Sequence, residues 1–154
     1  MSLENARQYL KEKGFEERII EFKESTATVE LAAEALGCLP AMIAKTMSFL
    51  VEDEPILILT DGTSRIDNHK YKEVFRKKAK MIPYDQVEEY IGHAPGGVCP
   101  FGIKENVQVY LDISLKKHDV IYPAAGNAHT AVRLTPAELE ICANAVGWID
   151  VCKE

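Results

Sequence analysis

Lys45-Thr46-Met47-Ser48-Phe49-Leu50-Val51-Glu52-Asp53-Glu54-Pro55-Ile56-Leu57-Ile58-Leu59-Thr60 is the stretch on which the fold turns. From Lys45 the residues alternate until the end of the first run, the period of a strand with one buried face. Glu52-Asp53-Glu54 turns the chain into a second run, residues 55–60, which is apolar and rich in β-branched side chains. The two runs predict a β-hairpin. A period of two also puts Lys45 on the same face as Met47, Phe49 and Val51, the apolar one. An ammonium leaving from that face needs an anion, or a path to water as a strand-end lysine.

Upstream of the hairpin, Leu3, Ala6 and Leu10 recur at helical spacing between a possible Ser2 cap and Gly14. Residues 18–23 alternate weakly. A second helix is expected from Thr28, with Glu30 in its first turn and Gly37 past its end, and Pro40 starts a brief third. Downstream, Asp67 caps a helix running to about Lys78, and Met81-Ile82 is a short strand before Pro83. Val87, Tyr90 and Ile91 mark a helix stopped at Gly92. Val107, Val109 and Leu111 share one strand face, residues 119–122 open another strand, and the neighbourhood of Arg133 adds one more. Thr135-Pro136-Ala137-Glu138 combines a capping box with proline at the first helical position, and that helix is expected to end near Gly147. Strands joined by hairpins and interrupted by helices, with no regular βαβ alternation, point to a mixed α/β, α+β-like fold around a largely antiparallel sheet. No repeat, linker or boundary divides residues 1–154, so one domain is expected.

The chain has 154 residues, 47% of them hydrophobic and 27% charged, enough for a core without disulfide or metal staples. No apolar run approaches the roughly 18 residues needed to cross a bilayer, and Met1-Ser2-Leu3-Glu4-Asn5 shows no secretory pattern. A cytoplasmic address is the expectation. Cys38, Cys99, Cys142 and Cys152 lack zinc-site spacing and read as free thiols. The net charge of −6 argues against coating nucleic acid along its length, so neither DNA nor a membrane is an expected partner. Charge is uneven, however. Arg65, Lys70, Lys72, Arg76, Lys77, Lys78 and Lys80 face only Asp67 and Glu73 within residues 65–80, a local basic face or a solvated helix surface.

Three further features carry chemical possibilities. Gly92-His93-Ala94-Pro95-Gly96-Gly97-Val98-Cys99-Pro100-Phe101-Gly102 packs four glycines and two prolines into one loop, whose bare N–H groups can approach a ligand or an oxyanion, or which simply connects two elements. Gly126-Asn127-Ala128-His129-Thr130 is a turn with an imidazole at its far edge, either a ligand-binding group or a surface histidine. Cys99 lies where a nucleophile would be tempting, yet no activating base is evident beside it, and a pocket-lining role is the alternative.

In this order, Ala32-Ala33-Glu34-Ala35-Leu36-Gly37 leading to Ile43-Ala44-Lys45-Thr46, then Arg65-Ile66-Asp67 before Lys70, the 96–102 loop, and the Gly126 turn before Leu134-Thr135-Pro136 resemble the YbaK and prolyl-tRNA-synthetase-associated editing domain family. The likeness spans about residues 28–139. It implies a mixed α/β fold with a partly barrel-like sheet, no metal or other cofactor, and cleavage of the ester joining an amino acid to the terminal adenosine of a tRNA. The family's pocket lysine falls on Lys45 and its substrate-holding G-x-x-x-P loop on Gly96 and Pro100. Gly97 joins these as a backbone donor beside a developing oxyanion, with a ribose hydroxyl or substrate thiol assisting in place of a protein base. Thr46, Val98, Cys99, Phe101, Gly126 and His129 are the expected substrate contacts, and Arg65, Lys70, Arg76, Lys77 and Lys78 the expected tRNA contacts. Cys99 stands where serine is frequent in the family. The expected activity is that of a free-standing deacylase acting on the aminoacyl-tRNA 3′ end, with tRNA-Pro carrying Cys, Ala or another small residue as substrate and a prolyl-tRNA synthetase as a possible partner. The rival readings are a non-catalytic tRNA- or synthetase-binding module of the same fold and a Cys99-dependent hydrolase.

Overall fold

The computed structural model describes residues 2–153. The expected hairpin forms from β2 (Ala44–Val51) and β3 (Glu54–Asp61), paired from Ala44↔Asp61 to Val51↔Glu54. Only Glu52 and Asp53 lie between the strands, at φ 50° and 69°. Both therefore adopt the left-handed conformation that a tight two-residue hairpin turn requires. Beyond Glu54, β3 is buried throughout, which explains its nearly unbroken apolar sequence. Leu57 and Leu59 face the main core with Leu50, while Ile56 and Ile58 face a second cluster with Phe49 and Tyr71.

The central sheet has the order β2-β3-β5-β7, completed by β5 (Gln108–Asp112) and β7 (Gly147–Ile149). β3–β5 and β5–β7 pair in parallel. The largely antiparallel expectation thus holds for the hairpin and for two small ladders, β1 (Ile19–Glu21) with β6 (Thr130–Val132) and β4 (Arg65–Ile66) with β8 (Cys152–Lys153). The central sheet itself is mixed, and among the described residues no strands close into a barrel. Parallel pairing arises because the chain between β3 and β5 makes a long crossover rather than a tight turn.

Five α-helices are present among the described residues: α1 (Ser2–Lys13), α2 (Val29–Leu36), α3 (Asn68–Phe75), α4 (Val87–Ile91) and α5 (Pro136–Cys142). The Ser2 cap expected for α1 rests on a side chain outside the described set. α2 begins at Thr28, whose side chain accepts from the Leu31 amide, and stops at Gly37 in the left-handed region. Pro40 opens a single 3-10 turn. Asp67 caps α3 by accepting from the His69 and Lys70 amides.

Two helices end earlier than expected. α3 stops at Phe75, because Arg76 turns left-handed and returns the chain to the edge of β2, where Leu50 N donates to Lys80 O at 2.9 Å and Ile82 N to Ser48 O at 3.1 Å. Met81 makes a single bridge to Phe49, and residues 119–122 contribute only the bridges at Ile121 and Tyr122. The capping box of α5 forms with Thr135 and Glu138, but the helix ends at Cys142 and Asn144 takes φ 52°. Gly147 then starts β7 rather than ending α5, since parallel pairing with β5 outweighs continued helix. No helix among the described residues is long and apolar enough to cross a membrane.

Candidate functional site

A cavity of about 120 Å³ opens where α2, the start of β2, the glycine-rich loop and β6 meet. Four expected site residues share its wall: Lys45, Thr46, Gly96 and Val98. Tyr122, Thr26, Thr28 and Thr130, and small or aliphatic residues such as Ala27, Val29 and Ile43, complete it.

Lys45 is half-buried, and its Nζ donates to the Ser64 carbonyl. Burial pushes its pKa below the ordinary lysine value, opposed by the nearby Cys152 and Asp61. Lys45 shares a strand face with Met47, Phe49 and Val51, which pack in or against the second core cluster. The ammonium thus leaves an apolar face for a backbone acceptor. Thr46, on the alternate register, carries a buried Oγ1 that has no hydrogen-bond partner in the protein.

The glycine-rich loop reaches the cavity through a 3-10 turn, Pro95–Gly97. Gly97 N donates to Ala94 O at 2.9 Å, so its amide closes the turn and is not the donor expected for an oxyanion. The Gly96 amide precedes that first bond and is left over by the turn. Gly97 is buried against the 126–127 backbone so tightly that a Cβ would collide with Asn127 and Gly126. At Gly96 a Cβ would meet Ala128 Cβ at 3.4 Å, an ordinary contact.

Several expected contacts lie elsewhere. Pro100 borders a different cavity, beside Tyr9 and Val109. Phe101 is fully buried and packs against Tyr9 at a ring separation of 6.2 Å. Cys99 is 0% exposed, with Sγ 3.5 Å from His93 Nε2 and 3.7 Å from Phe101 O. Burial pushes its thiol up to about 12, the opposite of the lowered value that thiolate chemistry calls for. Gly126 supplies a left-handed turn at φ 101°. His129 is exposed, and its Nδ1 bonds Glu24 O at 2.9 Å. Together with the bonds from Phe22 N to His129 O and from Thr26 N to Ala128 O, this fastens the turn to segment 22–26. His129 therefore supports the wall from outside. Thr26 and Thr130, which do line the cavity, were not singled out by sequence reasoning. Thr130 lies within the turn already recognised, whereas nothing in the spacing around Thr26 marks it.

Arg65, Lys72, Arg76, Lys77, Lys78 and Lys80 are exposed. Lys70 is held by Asp150 at 3.0 Å and by the Cys152 carbonyl, and Lys77 by Glu52 at 3.1 Å. Arg65 follows directly on Ser64, the acceptor of the Lys45 ammonium. Among the described residues no group of histidine, cysteine and carboxylate side chains is arranged to hold a metal ion.

Residues 23–141 match the aminoacyl-tRNA editing domain family. The YwhH protein of Bacillus subtilis (strain 168) is 44% identical over the whole of this chain and 99% of its own length. A candidate Cys-tRNA(Pro)/Cys-tRNA(Cys) deacylase of Enterococcus faecalis, EbsC, is 26% identical over 75% of this chain and 71% of its own. The proline–tRNA ligase of Limosilactobacillus fermentum is 32% identical over 58% of this chain, but the matched part spans only 17% of that enzyme. A crystal structure presented as a candidate trans-editing enzyme for prolyl tRNA synthetase superposes with a TM-score of 0.89 at 28% identity, covering 99% of this chain and 98% of the other.

Proposed function

We propose that this chain, which belongs to the aminoacyl-tRNA editing domain family, is a free-standing deacylase that hydrolyses the ester of a mischarged tRNA. The observation that carries the proposal is the shared cavity wall of Lys45, Thr46, Gly96 and Val98. A volume of about 120 Å³ walled mostly by alanines, threonines and other small residues suits a small amino acid at the end of tRNA-Pro, such as Cys or Ala.

An aminoacyl ester is already activated, so catalysis requires placement and stabilisation of developing negative charge more than a strong protein nucleophile. In this reading the Gly96 amide and the Lys45 ammonium supply the positive end, and a ribose hydroxyl or substrate thiol assists the attack. Gly97 acts by holding the loop, and Cys99 by packing it. The exposed basic residues of 65–80 receive the acceptor stem, and a prolyl-tRNA synthetase is the partner that hands over the substrate. Relatives named for tRNA deacylation and trans-editing support the activity class.

Incubation with a panel of mischarged tRNAs tests the reading. Release of one or a few small amino acids by the wild type, with Lys45→Ala at least about tenfold slower, is the expected result. A wild type that releases none, while still binding tRNA, would leave the non-catalytic binding module in its place.

A further inference from the structure

Asp61, at the end of β3, is a carboxylate with 0% exposure. Burying a charge is costly unless its oxygens are bonded, and here each is. Oδ1 accepts from both the amide and the hydroxyl of Thr63, at 2.8 Å each. Oδ2 lies 2.6 Å from His118 Nε2 and 3.7 Å from Lys117 Nζ. The Asp61 amide in turn donates to Ser114 Oγ at 3.0 Å. The carboxylate therefore ties the 62–64 turn to the segment after β5. Gly62 within that turn packs so closely on the Pro40 carbonyl that it has no room for a Cβ. Ser64, the next fixed point, is buried and offers its carbonyl to Lys45 Nζ.

We propose that Asp61 is a positioning residue for Lys45: through Thr63 it sets the 62–64 turn so that the Ser64 carbonyl holds the ammonium of Lys45, a residue of the cavity wall. The inference rests on the deacylase reading for its effect on rate, but its structural content stands apart from it. A bare lysine side chain has several rotatable bonds and no preferred end point. One acceptor held from two sides removes that freedom. Asn at position 61 keeps an acceptor for Thr63 and so preserves the device, whereas Ala removes it.

The test compares hydrolysis of a mischarged tRNA by wild type, Asp61→Ala, Asp61→Asn and Thr63→Ala, alone and combined with Lys45→Ala. Asp61→Ala should lower kcat at least about tenfold with KM nearly unchanged, Thr63→Ala about threefold, and Asp61→Asn should restore most of the loss. In the Lys45→Ala background these changes should cost nothing further. A folded Asp61→Ala or Thr63→Ala with wild-type kcat, or losses that persist in full without Lys45, would overturn the proposal. Thr63 is exposed, so its variant remains informative if Asp61→Ala does not fold. In isotopically labelled protein, the Lys45 Nζ resonance should move toward those of exposed lysines in Thr63→Ala. This readout needs no turnover, so a wild type without deacylase activity would refute the functional reading while the resonance still decides the positioning one; an unmoved resonance would reject it.

Discussion

Cys99 and the two glycines before it show how residues in one loop divide into separate tasks. The thiol is sealed among His93, Phe101 and the Gly126 backbone, so Cys99→Ser should keep deacylation within about twofold of wild type. Alkylation of the native protein should label Cys38, the only one of the four that is not buried, with the others reacting after denaturation. Gly96 and Gly97 should separate just as sharply. Gly97→Ala forces a Cβ into the 126–127 backbone and should cost about 3 kcal/mol or more in denaturant unfolding. Gly96→Ala meets only the Ala128 and Ala27 methyl groups. That variant should fold normally and lose activity by narrowing the cavity.

Among the elements, the hairpin and α5 are where local chemistry is most exposed to test. Glu52 and Asp53 both hold positive φ, a conformation that costs an ordinary L-residue about 1 kcal/mol. Replacing the pair by Asn-Gly should raise stability by roughly 1 kcal/mol, read as a higher denaturation midpoint at unchanged slope. In α5, Thr135 accepts from the Glu138 amide and Glu138 accepts from the Thr135 amide. Thr135→Ala should lower stability by about 1 kcal/mol. Both devices were legible before any fold was known. The early ends of α3 and α5 were not, because they answer to β2 and β5 rather than to neighbouring residues.

For the molecule as a whole, acid stability and salt sensitivity report on two separate charge systems. Burial would raise the Asp61 pKa, but hydrogen bonds from His118 and Thr63 and the charge of Lys117 outweigh it and hold it below the ordinary carboxylate value. Glu138 is likewise held down by Arg18, which reaches it with two bonds of 3.0 and 2.9 Å. A carboxylate depressed on folding stabilises above its unfolded pKa, and that stability is lost as pH falls through the folded value. Unfolding free energy should therefore be flat near neutrality and decline below about pH 4, and Asp61→Asn should flatten that decline. Affinity for tRNA should fall with salt, and each lost phosphate contact should reduce the slope by about one. Charge reversal at Lys77 and Lys78 that left affinity intact would remove the 65–80 face from the binding surface.

What the sequence by itself determined is local: the hairpin, the caps at Thr28, Asp67 and Thr135, the glycine stop at Gly37, the apolar face carrying Lys45, and the ordered segments that mark an editing domain. All but the last depend on side chains within a few residues of one another, where spacing is geometry. The parallel pairings of β5 in the central sheet, the strand at Gly147, the use of the Gly97 amide inside its own turn, and the withdrawal of Cys99, Pro100 and Phe101 from the cavity were decided only by the tertiary structure. Each follows from contacts between distant segments, which compete for the same backbone donors and the same buried space in ways that residue order does not encode.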